Sequence, residues 1–231
     1  MLDFLTDWSV QQAFLQGLAT TLRLSIVSAG LALCIGFLMA FARASQSSPL
    51  GWLSSGYVAL FRNTPLLIQL YLCYRGLQSL GLILPPELCG VLALSLYSGA
   101  YLTEVFRSGL LAIPKEQLDA GLSLGLSRFS VYRMILIPQA LRVIMPAVGN
   151  QLISLTKNSS LVAFITVNDL FYVVYKGAVD AFMPLEYFLE GALLYLAVSL
   201  AISGLVRLLE NFLSRPMAQE RIVSGEILTH G

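Results

Sequence analysis

The stretch Leu24 to Ala42, LSIVSAGLALCIGFLMAFA, lies between Arg23 and Arg43 and holds no charged residue. A helix needs about 20 apolar residues to cross a hydrocarbon core ~30 Å thick, and this stretch meets that length. Inside a bilayer every backbone N–H and C=O must find its partner within the helix or within a closed barrel. The stretch is therefore read as a membrane-spanning helix. Its small residues Ala29, Gly30, Gly36 and Ala40 allow a second helix to approach closely.

Working outward, four further apolar stretches follow. One runs from about Tyr57 to Leu77 and carries Arg62 and Pro65. The next is Leu88 to Phe106, interrupted by Glu104 and containing the small residues Ala93, Gly99 and Ala100. Then come about Val143 to Ile165, with Lys157 inside, and roughly Tyr187 to Val206, with Glu190 near its start. The expected fold is all-α, a polytopic membrane bundle of about five transmembrane helices. Composition agrees independently: of 231 residues, 57% are hydrophobic and 12% charged, against ~25% charged in soluble domains. Mean hydropathy is +0.76. One membrane domain is expected over residues 1–231, with a core from about 10 to 215 and a frayed polar tail at 216–231. A net charge of +1 offers no electrostatic case for nucleic acid. The opening MLDFLTDW carries Asp3 and Asp7 but no basic residue, the wrong flank for a secretory signal, so the first span is expected to be retained.

Between the third and fourth apolar stretches sits a polar, helix-forming island, Ile113 to Pro138, IPKEQLDAGLSLGLSRFSVYRMILIP. Pro114 suits the first turn of a helix, where its missing N–H costs nothing. Lys115 to Leu124 then forms ~three turns, and Gly125 is placed to stop them in a left-handed cap. Ser127 is placed to cap a second helix from Arg128. If this island is cytoplasmic, Arg43, Arg107, Lys115, Arg128, Arg133, Arg142, Arg207, Arg215 and Arg221 share its side, against Arg75 and Lys176 opposite. That bias puts the N-terminus outside and the C-terminus inside. Arg23, Arg62 and Lys157 fall at membrane depth.

No enzyme motif is present. Cys34, Cys73 and Cys89 lack C-x-x-C spacing, His230 is next to last in the tail, and neither G-x-S-x-G nor H-E-x-x-H occurs. No lysine follows a glycine, so there is no phosphate loop. No catalytic or metal-binding residue and no cofactor is assigned to this chain.

By spacing, Asp119-Ala120-Gly121, three residues, Gly125, nine residues, Ile135-x-Ile137-Pro138 resembles the "EAA" coupling loop of ABC importer permeases. Asp119 stands for Glu, Gly121 for the second Ala and Ile137 for Leu. Gly121 lowers helix propensity by about 1 kcal/mol relative to Ala. The likeness extends to Gly17-x-x-x-Thr21-Leu22-x-Leu24-Ser25, Phe61-Arg62-Asn63-Thr64-Pro65-Leu66-Leu67-Ile68-Gln69-Leu70 and Tyr101-Leu102-Thr103-Glu104-Val105-Phe106-Arg107. Leu136-Ile137-Pro138-Gln139-Ala140-Leu141-Arg142, Gly149-Asn150-Gln151 and Lys157-Asn158-Ser159-Ser160-Leu161 complete it. Together these motifs look like the membrane subunit of a bacterial histidine/glutamine/arginine-type importer, over roughly residues 10 to 215.

The resemblance implies a multi-pass permease of the bacterial inner membrane, carrying a polar amino acid or a derivative such as an opine. It implies partners: a cytoplasmic ABC ATPase dimer that holds ATP and Mg, a second permease of the same or a related chain, and an extracytoplasmic amino acid-binding protein. Lys115, Asp119, Ala120, Gly121 and Gly125 are then the coupling residues. An ion-coupled transporter, the alternative, would need deep carboxylates, and Glu104 is the candidate.

Polar groups at membrane depth cost at least ~2.5–3.5 kcal/mol on insertion scales, so they normally face a partner or a wet cavity. Arg62, Asn63, Thr64 and Gln69 flank Pro65, expected as a kink whose freed carbonyl a neighbouring helix or water must satisfy. Arg62 either lines the substrate route or snorkels to the headgroups. Glu104 and Arg107, three apart, share a face and form a gate or a strut. Asn150, Ser154, Lys157 and Asn158 fall at i, i+4, i+7 and i+8, one stripe, with Gln151 and Ser160 beside it. Lys157 is suited to a substrate carboxylate, Ser154 and Asn158 to its ammonium or side chain; interhelical hydrogen bonding is the other reading of this stripe. Asn158 stands where the resembling family often has Asp, which weakens a cation preference drawn by analogy. The segment from Tyr172 to Tyr187 is expected as the largest extracytoplasmic loop, where a binding protein has room to dock.

Overall fold

The computed structural model describes residues 8–43 and 49–227, with side chains described as far as residue 212. His230 lies outside the described residues. The described chain is helical: α1 Trp8–Arg43, α2 Pro49–Arg62, α3 over residues 66–79, α4 Pro86–Leu111, α5 Lys115–Ser123, α6 Arg128–Ile165, α7 Leu170–Asp180 and α8 Pro184–Ile227. Of these, α1, α4, α6 and α8 are long and apolar enough to cross a membrane. The tail expected to fray from residue 216 continues α8 as helix to Ile227.

The second expected span, Tyr57 to Leu77, is divided. Helix α2 ends at Arg62 and α3 begins at Leu66, because Pro65 lacks an N–H and pushes the residue before it out of the helical region. Pro65 itself is extended, with ψ 135°. The carbonyl that a regular helix would pair with residue 65 belongs to Phe61. Gln69 takes over that duty: its Nε2 donates to Phe61 O at 3.0 Å, to Thr64 O at 3.2 Å and to Thr64 Oγ1 at 2.8 Å. The freed carbonyl is thus satisfied from the same segment, where the sequence suggested a neighbouring helix or water. A related adjustment occurs in α6. Pro138 has no N–H for Met134 O, and the chain widens into a π turn at Tyr132–Leu136, with Ile137 N–H donating to Tyr132 O.

Helices α1 and α4 form the most extensive packing of the bundle. A Cβ on Gly36 would lie 2.7 Å from Leu102 Cβ, and one on Gly99 would lie 3.0 Å from Ile35 Cγ2. Within a bilayer such packing acts through van der Waals contact, since lipid is as apolar as leucine. Gly30, expected in this contact, faces open space instead. Tyr57 Oη donates to Leu96 O at 2.6 Å and ties α2 to α4. At the α4 N-terminus Glu87 pairs with Arg23 at 2.7 Å, so Arg23 is not left alone at depth. The sides of α8 are mostly uncovered.

The segment from Tyr172, expected as a loop, is mostly helix α7. Leu170, Val174 and Ala178, at i, i+4 and i+8, bury one stripe against Phe14 and Tyr187. Asp169 caps α7 by accepting from Tyr172 N at 2.9 Å, and Tyr195 Oη donates to its other oxygen at 3.4 Å. Thr21 Oγ1 accepts from Leu170 N at 3.0 Å. Asp169 lies in the connection between α6 and α7, and burial pushes its carboxyl up to about 6, against the opposing pull of the Tyr172 N–H.

Candidate functional site

The polar island folds as a closed hairpin. Helix α5 spans Lys115–Ser123, and Gly125 at φ +81° reverses the chain. Leu126 N donates to Gly121 O and Gly125 N to Leu122 O, the paired bonds of a Schellman cap. Ser127 Oγ accepts from Ser130 N at 3.2 Å and starts α6. Gly121 is buried, and a Cβ there would lie 2.7 Å from Val131 Cγ2. Gln139 Nε2 donates to Gln117 Oε1 at 2.7 Å, bracing α6 against α5. Gly121 thus belongs to the inner seam, whereas Lys115, Asp119, Ala120 and Gly125 lie exposed. Leu124 and Phe129 share that exposure, at 81% and 72%. Among the described residues the Asp119 carboxylate makes no side-chain hydrogen bond or ion pair. The hairpin is a capped tip with a mixed charged and apolar outer surface.

A polar cavity of about 240 Å³ opens between α4 and α6, lined by Tyr97, Tyr101, Gln151, Ser154, Lys157 and Asn158. One turn of α4 presents both tyrosines, with Tyr97 Oη donating to Tyr101 Oη at 3.3 Å. The stripe on α6 supplies the rest. Arg62 reaches the cavity's edge from α2, its guanidinium 5.0 Å from the Tyr101 ring centroid. Among the described residues the Lys157 ammonium has no carboxylate partner. The structure therefore brings Ser154, Lys157 and Asn158 together, with Arg62 one ring away. It does not bring Asn63, Asn150 or Ser160 into the lining, and it employs Thr64 and Gln69 in the α2–α3 break.

Glu104 accepts from Arg107 at 3.1 Å and also from Arg43 at the end of α1. The sequence pointed to Arg107; Arg43 stands 61 positions away and was not expected. Tyr97 and Tyr101 were also missed as lining residues. Their spacing of four puts both on one helix face, which was a usable signal. A second cavity, of about 380 Å³, lies where α1, α7 and α8 meet, with Gln16, Asn168, Tyr172, Lys176 and Asp180 among its lining.

A bundle of membrane-length helices with a polar cleft between two of them and a polar hairpin at one end suits a solute-conducting membrane subunit. Comparison with known proteins makes this specific. Residues 32–215 match the family described as binding-protein-dependent transport system inner membrane component, and the chain belongs to that family. It is 35% identical to the arginine transport system permease protein ArtQ of Bacillus subtilis (strain 168), over 91% of this chain and 96% of that one. It is 32% identical to the octopine transport system permease protein OccM of Rhizobium meliloti, over 90% and 89%. A crystal structure of an amino acid ABC transporter with histidines superposes with a TM-score of 0.83 at 33% identity, covering 91% of this chain and 99% of that one. The inward-facing MetNI methionine ABC transporter, at 17% identity and TM-score 0.77 over 90% and 99%, shares the fold. The chain is a multi-pass permease subunit of an ABC importer, a transport subunit without its own ATPase.

Proposed function

We propose that this permease carries a polar amino acid, or a small derivative of one, across the inner membrane by alternating access. An extracytoplasmic binding protein delivers the solute to a pair of permeases. ATP binding, with Mg, closes two cytoplasmic ATPase subunits, and α5 transmits that motion from a groove on one of them to α4 and α6. On this reading the N-terminus lies outside and the C-terminus in the cytoplasm, and the α1/α7/α8 cavity with Lys176 and Asp180 faces the binding protein.

The observation that carries the reading is the unpaired Lys157 ammonium beside Ser154, Asn158 and Gln151 in a cavity between membrane helices. Lys157 and Ser154 are exposed at the open side of this cavity; within a membrane an unpaired charge there is expensive, and an incoming carboxylate supplies its partner. The cavity's size, below the ~300–1,000 Å³ typical of drug-sized ligands, suits a single amino acid. The arginine and octopine permeases that it resembles carry names of the same solute class, which supports this reading. Glu104, which an ion-coupled mechanism would use, is held between two arginines, which disfavours that alternative. The test is amino acid uptake into proteoliposomes holding the assembled transporter. Uptake is expected to require ATP and to survive collapse of the proton gradient; uptake that needs the gradient and ignores ATP refutes the proposal.

A further inference from the structure

The cavity between α4 and α6 is electrically one-sided. Helices α2, α3 and α6 contain no Asp or Glu along their whole length. Helix α4 contains two, Glu87 and Glu104, and both are already paired with arginines, Glu87 with Arg23 and Glu104 with Arg43 and Arg107. Every other polar group on the lining is neutral: two tyrosine hydroxyls, one serine hydroxyl and the amides of Gln151 and Asn158. The cations are Lys157, in the lining and without a carboxylate partner, and Arg62 behind the Tyr101 ring.

A zwitterionic amino acid has a carboxylate for Lys157 and an ammonium for the oxygens and ring faces of the lining. A cationic side chain adds a second positive charge to a site with no free carboxylate, and a desolvated charge without a partner is strongly disfavoured. An acidic side chain does the opposite, since it adds a carboxylate where the uncompensated charge is positive. We infer that this cavity selects amino acids bearing a second carboxylate over cationic ones, with Lys157 and Arg62 setting the preference. The inference rests on the cavity being the substrate site of the proposed function.

The experiment is equilibrium binding of radiolabelled L-glutamate, L-glutamine and L-arginine to the detergent-purified protein in its native assembly, without the binding protein. L-Glutamate is expected to bind at least about tenfold more tightly than L-arginine. Lys157→Gln is expected to collapse that ratio. Asn158→Asp, which keeps the side chain's size and shape, is expected to move the ratio toward arginine by about tenfold, and serves if Lys157→Gln fails to fold. Arginine bound as tightly as glutamate, or a ratio untouched by Asn158→Asp, overturns the charge preference while leaving the site in place. Binding of none of the three overturns the substrate site itself, and the inference with it.

Discussion

Replacing Gln69 with Leu removes the group that substitutes for the missing Pro65 N–H. The Gln69 amide nitrogen has two protons for three acceptors at 2.8 to 3.2 Å, so two full hydrogen bonds are at stake. At about 1 kcal/mol each, their loss costs about 2 kcal/mol, and the Phe61 carbonyl is left without a donor. Gln69 Oε1 is buried without a partner, so Leu also removes a small existing penalty. The expected net loss is about 1–3 kcal/mol, and a chain of this length loses roughly 2–4 °C of melting midpoint per kcal/mol. Heating the detergent-solubilised protein and following the monodisperse fraction by size-exclusion chromatography should show a drop of about 2–12 °C. The decisive comparison is the double variant. Pro65→Ala returns an N–H for Phe61 O, so Gln69→Leu should cost about 1 kcal/mol less in that background, within the usual range for residues sharing a partner. Equal cost with and without Pro65 would refute the assignment of Gln69 to the helix break.

Gly125→Ala forces a Cβ into φ +81°, at about 1–2 kcal/mol, and should loosen the hairpin; faster proteolysis between α5 and α6, with Gly125→Asn milder, checks it. Glu104→Gln leaves Arg43 and Arg107 facing each other in a half-buried setting. It should cost about 1–3 kcal/mol, between surface and buried pairs, and salt should recover part of the lost midpoint. Burial raises the Asp169 carboxyl from its ordinary 3.8 to about 6 in the folded state. Its contribution is complete below pH ~4 and is lost as pH rises through ~6. The melting midpoint of the native protein should therefore fall over that window relative to Asp169→Asn; parallel curves would contradict the burial argument.

The α5–α6 hairpin was legible because its instructions are local. Gly125 supplies a left-handed residue and Ser127 a cap, each acting within four positions; Pro114, expected in the first turn, is instead the extended residue just before Lys115. The polar stripe of α6 was legible for the same reason, through helical periodicity. Pairings between distant positions were not. Nothing near Glu104 indicates Arg43, and nothing near Arg23 indicates Glu87, because a bundle's crossing order sets those contacts. The division at Pro65 was read as a bend because Gln69 repairs the backbone from outside the local hydrogen-bond register. Gly30 and Gly36 looked alike in the sequence, yet only Gly36 faces α4, since the rotation of α1 about its axis depends on its partners. Residues 172–187 looked like a loop because their charges hid the buried stripe of Leu170, Val174 and Ala178.

The central claim, that an ATPase on the hairpin drives this permease, is tested most directly by gentle purification of the tagged chain from native membranes. A P-loop ATPase in equimolar amount is expected to co-purify, to cross-link through Lys115, and to be lost with Asp119→Ala. A solitary chain, with no ATPase recovered even after cross-linking at Lys115, would contradict the account.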